Sequence, residues 1–409
     1  MKHVYTLMIL ILLSAAPYCF SADFGLTLGA APEYGNAGQN TDSSGDFSFT
    51  GYVSPWIFGT LREGLSYYVS GRVTLEYEDD EVTTPLLGEL ERTELDWRPL
   101  PAVFVSAGRQ YFADPAALIA SGLFDGVNGS LTLGKTRLQA GVFYTGLLYK
   151  ESAKIIMSAG DIAHYAKPLD YGDTESYFAS RRLLTAISGE FPDLTSRTSL
   201  TLSGLAQFDL NAYDSDTVQS QYFLGQYSFT PVDVLTLNLA AAVGFTEAEG
   251  ADLRTGFSAQ AGAGWEPPGS LRDLAELRIR WSSGAVNDTV GPFLPVSGIS
   301  QGELFTPGVS ALLSLKAAYT ARLHEKVSAT AQAVYFIRTD TETYADADID
   351  PESSSHLLGG EVYGSLIWAF DSTTRFTVGG GAFLPQLGGV FKTDAPVRWK
   401  ASAGIIVSL

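Results

Sequence analysis

The sequence predicts an all-β fold, a single transmembrane antiparallel up-and-down β-barrel of about 18 strands. Three observations predict it. Segments of alternating apolar and polar residues recur along the chain. The connections between them alternate short and long, as in outer-membrane barrels. No run of about 18 apolar residues occurs, so no membrane helix is encoded. Successive side chains of a strand point to opposite faces. Tyr67, Val69, Gly71, Val73, Leu75 and Tyr77 therefore share one face, and Tyr68, Ser70, Arg72, Thr74, Glu76 and Glu78 the other. Repeated around a closed sheet, this pattern places lipid outside and water inside. Sixteen strands is the alternative count.

The periodicity places strands near 24–34, 47–58, 65–78, 87–97, 102–111, 122–133, 137–149, 176–190 and 198–210. It continues with 218–229, 234–246, 255–266, 273–284, 308–321, 326–338, 356–370, 374–384 and 397–409. The short connections, such as Gly134 to Thr136 and Asp371 to Thr373, are rich in Gly, Pro and Asp, as hairpin turns require. The long ones include Lys150 to Glu175, Ala285 to Pro307, Thr339 to Ser355 and Pro385 to Pro396. Short turns belong in the periplasm and long loops outside, and an even strand count puts both termini in the periplasm.

Residues 1–21 read as a secretory signal and 22–409 as one barrel domain. Lys2 supplies the positive charge, Val4 to Leu13 is apolar but for Thr6, and cleavage is expected near Ser21 or Ala22. Cys19, the only cysteine, would leave with the signal. Lipidation of Cys19 is the alternative, but Tyr18 is bulky where a small residue is needed. The mature chain would need no disulfide.

The formal charge is −19, from 45 acidic and 26 basic residues, which argues against nucleic acid as a partner. The acid gathers in Glu78 to Glu81, Glu247 to Asp252 and Asp340 to Glu352, all in connections. Trp56, Trp97, Trp265 and Trp368 fall near the periplasmic ends of strands, and Trp281 and Trp399 near the outer ends. This is the girdle that indole forms at membrane interfaces. In the last strand Val397, Trp399, Ala401, Ala403, Ile405, Val407 and Leu409 alternate with Arg398, Lys400, Ser402, Gly404, Ile406 and Ser408. A terminal amphipathic strand resembles the assembly signal of outer-membrane proteins, with Leu409 in place of the usual Phe.

A lipid-facing Arg or Lys costs roughly 2–4 kcal/mol at mid-bilayer, so mid-strand charges should point inward. Ten residues are expected to line the pore: Arg72, Glu76, Arg137, Glu276, Arg278, Arg280, Lys316, Glu361, Arg375 and Lys400. Seven are basic and three acidic, so the lumen leans positive and should favour anions. A scaffold of solvated ion pairs is the competing reading. Arg181-Arg182 cannot both point inward without a bulge. Ile155-Ile156-Met157 with Ile162, and Pro292-Phe293-Leu294-Pro295-Val296, are more apolar than solvated loops need. Both segments are expected to fold into the lumen.

No cofactor is expected. Asp346 to Glu352 looks like a calcium loop, but Pro351 and Leu357 stand where an EF-hand needs Gly and Glu, so a solvated acidic loop is the expectation. Only His164, His324 and His356 would follow the signal. No Gly-x-Ser-x-Gly, His-Glu-x-x-His or phosphate-binding loop occurs, so an enzyme is not expected.

Gly108-Arg109-Gln110, followed by Phe124-Asp125-Gly126-Val127, resembles the alginate-export family of outer-membrane barrels over about 40 residues. The resemblance implies an 18-stranded barrel with a narrow charged lumen, and makes Arg109 and Asp125 a pore-proximal pair. It also implies passage of an anionic sugar polymer or of small solutes. That family's lumen is dense in arginine, and the lining here is thinner. The expected function is passive diffusion of small hydrophilic solutes, anions among them, across an outer membrane. An export conduit for an anionic polysaccharide and a loop-displaying surface binding protein are the alternatives. The partners expected are outer-membrane lipid, the barrel-assembly machinery and the small solute or anionic saccharide. Strands of this kind suit monomers and trimers alike.

Overall fold

The computed structural model describes residues 21–37, 45–78, 81–211, 217–269, 272–344, 346 and 348–409, with backbone alone for 21 and 81–86. The expected signal segment lies outside the described residues except for Ser21, with which the first strand begins. The first six strands are β1 (Ser21–Gly35), β2 (Asp46–Arg62), β3 (Leu65–Glu78), β4 (Glu81–Leu100), β5 (Val103–Ala113) and β6 (Ser121–Leu133). Next come β7 (Thr136–Tyr144), β8 (Arg182–Pro192), β9 (Thr198–Asp209), β10 (Val218–Val232), β11 (Leu235–Ala248) and β12 (Arg254–Trp265). The last are β13 (Leu274–Ser282), β14 (Leu312–His324), β15 (Val327–Arg338), β16 (Leu357–Ala369), β17 (Thr374–Leu384) and β18 (Arg398–Ser408).

All pairings join sequential neighbours antiparallel, and β1 also pairs with β18, so the sheet closes on itself. Leu26 and Leu409 exchange backbone hydrogen bonds of 3.0 and 2.8 Å at this seam. The 18-strand count is correct, and 16 is excluded. One end of the barrel carries the tight turns. Leu133 pairs with Thr136 across a two-residue turn in which Gly134 has φ 62°, a conformation open to glycine.

The alternation is visible in β13. Leu277, Ile279 and Trp281 are 64%, 50% and 39% exposed on the outside, while Arg280 and Ser282, which alternate with Trp281, are buried inside. Cross-strand partners share a face, so the pairing register extends this assignment round the wall. It places Trp97, Trp265, Trp281, Trp368 and Trp399 on outward rows. Trp56 breaks the expected girdle. It pairs with Ser70 and Gly25, both on inward rows, and Gly25 has no side chain to obstruct the indole.

Strand edges differ where loops claim residues. β7 ends at Tyr144 and β8 starts at Arg182, because the intervening chain folds into helices α1 (Lys150–Ala153) and α2 (Ala159–Tyr165). Ser158 caps α2 in a capping box with Asp161. Two apolar clusters lie inside the wall near the loop end. One joins Leu118, Ile119, Ile155, Met157, Phe293 and Val296 from loops to Phe124, Phe143, Leu184, Leu205 and Tyr222 from strands. The other joins Leu304 and Phe305 to Val334, Phe336, Leu358 and Phe383.

Arg182 settles the Arg181-Arg182 question. Its guanidinium is fully buried between Asp161 of α2 at 2.5 Å and Asp209 of β9 at 2.7 Å, while Arg181 keeps an exposed side chain. Substitution Arg182→Ala would strand two buried carboxylates, so it should cost about 3–5 kcal/mol. Guanidinium unfolding of the refolded protein measures this; an unchanged midpoint would refute the anchor.

Candidate functional site

Three loops meet inside the barrel, each tied down by charge. The β5–β6 loop is built around Asp114, whose carboxylate accepts the backbone N–H groups of Ala116, Leu118, Ile119 and Ala120 at 2.8–3.2 Å. A loop in the lumen has no strand partner for its amides, so a carboxylate supplies the acceptors. The β13–β14 loop reaches it: the Val296 N–H donates to Ile119 O at 2.7 Å, and the Gly298 N–H to Lys154 O at 2.9 Å. Phe293 and Val296 are fully buried there, as are Ile155 and Met157 of the β7–β8 loop. The expected inward folding therefore holds for those residues. It fails for Ile156 and Ile162, which are 37% and 59% exposed.

Two expected pore residues serve these loops. Arg280 donates from Nε and Nη2 to Gln260 Oε1 at 2.9 and 2.6 Å, from Nη1 to Gln301 Oε1 at 3.1 Å, and from Nη2 to Ala116 O at 3.3 Å. One guanidinium thus fastens two loops to the wall. Glu361, 1% exposed, accepts the N–H groups of Glu303, Leu304 and Phe305 at 2.8–3.0 Å. That clamp seats Phe305 flat on Phe383, with ring centroids 4.3 Å apart. Both residues point inward, yet neither lies free on a pore surface, because the loops cover them.

The others divide in the same way. Arg72 pairs with Glu91 at 2.6 Å and lies over the Tyr52 ring. Lys400 reaches Glu33 at 3.7 Å. Glu76 faces inward opposite Thr50 and Thr84. Arg137 faces Glu190 across the ladder near the turn end, and Arg375 lies opposite Ala369 and Ile406 at the same end.

Arg109 and Asp125 do form the expected ion pair, bidentate at 2.9 Å. Its place is not the pore. Asp125 alternates with the inward Phe124 and pairs with Tyr144, so it sits on the outward row. Arg109 also donates to Leu90 O and Leu147 O, closing the crotch where β4 and β5 part above Thr93. Gly108 has φ 116°, and a Cβ there would lie 1.8 Å from Thr93 O, so the motif needs glycine to turn Arg109 into this wedge.

What remains is a cationic pair. Arg278 and Lys316 lie directly opposite each other on β13 and β14, on the inward row. Gly262 flanks Arg278 on the other side and opens space above it. Glu276 follows on the same row toward the turn end. Among the described residues no carboxylate lies within ion-pair distance of either cation. Like charges directly opposite repel, and water in the lumen makes that tolerable. Two adjacent cations with free donors can take a carboxylate or phosphate, with Arg able to engage it bidentately.

Sequence reading missed several charges. Arg398 pairs with Asp346 and Asp348 at 2.7 and 3.0 Å and lies over Phe305 and Phe391. A guanidinium thus engages two carboxylates of the loop that was expected to be solvated. Among the described residues no cluster of three or more His, Cys, Asp or Glu could hold a metal. Glu91 and Glu94 on β4 neutralise Arg72 and Arg92. The run Glu89-Leu-Glu91-Arg92-Thr-Glu94 carried that signal. His164 and His356 are engaged with the carbonyls of Phe178 and Arg338.

No protein-family model matches the chain, and no curated protein sequence matches it. Solved structures do. The chain resembles a BenF-like porin from Pseudomonas fluorescens Pf-5, with TM-score 0.64, 12% identity and 96% of this chain covering 99% of that one. It resembles OccK2 (OpdF) of Pseudomonas aeruginosa, with TM-score 0.61, 12% identity and coverage of 96% and 99%. The same protein in complex with glucuronate matches at TM-score 0.60 and 13% identity, with coverage of 96% and 99%. These matches establish the porin-type barrel fold. They do not support the alginate-export resemblance.

Asp340, beyond β15, makes a further loop tie that responds to acid. Burial pushes its carboxyl up, but the Thr343 hydroxyl and the amides of Thr343, Ala285 and Glu342 outweigh this and hold it below its usual value. A depressed folded value means the contribution to stability is complete above about pH 4 and is lost as pH falls through the folded value. The hydrogen-exchange protection factor of the Ala285 amide should therefore fall in acid, and Asp340→Asn should abolish that dependence. Equal acid sensitivity in both proteins would exclude Asp340 as the titrating group.

Proposed function

We propose that this chain is an outer-membrane channel that passes small hydrophilic solutes down their gradients and prefers anions. The observation that carries this reading is the Arg278–Lys316 pair, left without a carboxylate in a lumen whose other cations are largely engaged. The wall supplies the hydrophobic exterior, the loops narrow the lumen, and the cations select by charge. Diffusion of this kind needs no cofactor and no covalent step.

The porin fold supports the reading, and a relative in that fold has been solved with glucuronate, a small carboxylate. Three loops tied together across the lumen leave less room for a polymer than an empty barrel would, so we favour small solutes over polysaccharide export. The apolar loop segments are used inside the barrel, which does not favour a display scaffold. On this reading residues 1–21 are a cleaved signal, residues 22–409 the barrel, and the barrel-assembly machinery inserts the mature chain.

Planar-bilayer currents of the refolded mature protein in a salt gradient test this. The reversal potential should report anion preference. The double substitution Arg278→Glu, Lys316→Glu should lower the anion-to-cation permeability ratio roughly threefold or more, and restore less selectivity at high salt. Cation preference in the unsubstituted protein, or no conductance at all, would overturn the proposal.

A further inference from the structure

A second cavity lies away from the cationic pair, on the wall formed by β6 to β9. Its volume is about 300 Å³. Phe112, Ala113, Asp114 and Pro115 roof it from the loop side. Its wall is the inward row of neutral polar side chains: Asn128, Gln139, Ser188, Thr201 and Ser203. The register brings them together, because Gln139 lies opposite Ser188, and Ser188 opposite Ser203. Gly141, opposite Asn128, makes room for the Phe143 ring, which lies 2.7 Å from where a Cβ would stand.

The chemistry of this lining is specific. Asp114 is not a free acceptor, because four backbone amides occupy its oxygens. Glu190 at the turn-end rim is the other charged group of the lining, and Arg137 faces it across the ladder. The rest is amide and hydroxyl, with Phe112, Ala186 and Leu205 giving an apolar edge. Ser203 is 8% exposed, and its hydroxyl has no hydrogen-bond partner among the described residues. A buried polar group without a partner marks a place where a water or a ligand completes the bonding. A long hydrogen bond links the lining, from Ser188 Oγ to Gln139 Oε1 at 3.4 Å.

We propose that this cavity is a second solute subsite, which takes the uncharged, hydroxyl-bearing part of a small polyhydroxylated molecule. Donors and acceptors of both kinds meet there, and no cation lines the cavity to attract an anion. The apolar edge suits the C–H face of a sugar ring. At ~30 Å³ per water the space corresponds to about ten waters, the scale of one such ring with residual solvent. The inference requires a water-filled lumen, as the channel reading does, but not the anion preference.

Equilibrium binding keeps the two apart. Methyl α-glucopyranoside, a neutral probe, is titrated into detergent-refolded protein and followed by calorimetry or saturation-transfer NMR. Heat-dependent gel mobility verifies that each variant is folded. Unsubstituted protein should bind the probe. Gln139→Ala with Ser188→Ala should weaken binding about tenfold, the loss of one or two hydrogen bonds. Ser203→Ala should weaken it measurably with the least change to the wall. Arg278→Ala with Lys316→Ala should leave it within about twofold. No binding by the unsubstituted protein, equal affinity in the Gln139 and Ser203 variants, or loss only in the Arg278 variant would each overturn the subsite. None of these outcomes depends on whether current flows.

Discussion

A bilayer offers no hydrogen bonds to a peptide backbone, and the architecture follows from that constraint. Each strand must find partners on both sides, so the ladder returns from β18 to β1. Once the ring is closed, apolar side chains have two destinations. Those on outward rows meet lipid. Those on loops must pack within the lumen, which is where the two interior clusters form. The loops then lack ladder partners of their own. Asp114 and Glu361 replace the missing strand by offering carboxylate oxygens to consecutive amides.

The charges of the lumen therefore fall into two kinds. Arg182, Arg280, Glu361 and Arg398 hold loops or helices in place and are enclosed by what they hold. Among the described residues Arg278 and Lys316 form no ion pair, and they lie opposite each other. A charge that is solvated and unpaired retains its field for a passing ion, whereas a paired one has lost most of it. The rigidity of the first kind keeps the second kind in a fixed place, which is what selective binding requires.

Much of this was legible in the sequence. Period-two alternation gave strand number and phase, because a one-residue slip would put Arg278 and Arg280 into lipid and Ile279 into water. The inward direction of the cationic pair followed from that phase alone. Their freedom from partners did not, since it depends on which loop carboxylates come near. Arg280 and Glu361 illustrate the limit: alternation placed them inward, but their partners Gln301, Ala116 and Phe305 are distant in sequence or on irregular chain. Arg109 and Asp125 were paired correctly and placed wrongly, because the resemblance set them at the pore while the unbroken register of β5 keeps Arg109 on the outward row with Val105 and Ala107. Trp56 misled for a different reason. Position along a strand locates the interface, whereas parity decides the face, and its parity is inward.

The seam between β1 and β18 has a kinetic meaning. Leu26 and Leu409 meet across nearly the whole described chain, so the last contacts to form are among the most distant in sequence. Contacts of that separation form slowly. Until they form, the sheet carries two bare edges, each a template for pairing with another chain. Side chains that later face lipid are meanwhile in contact with water. A barrel of this design is thus most vulnerable in its final step, and whatever guards the two edges until they meet determines how much chain ever reaches the closed form.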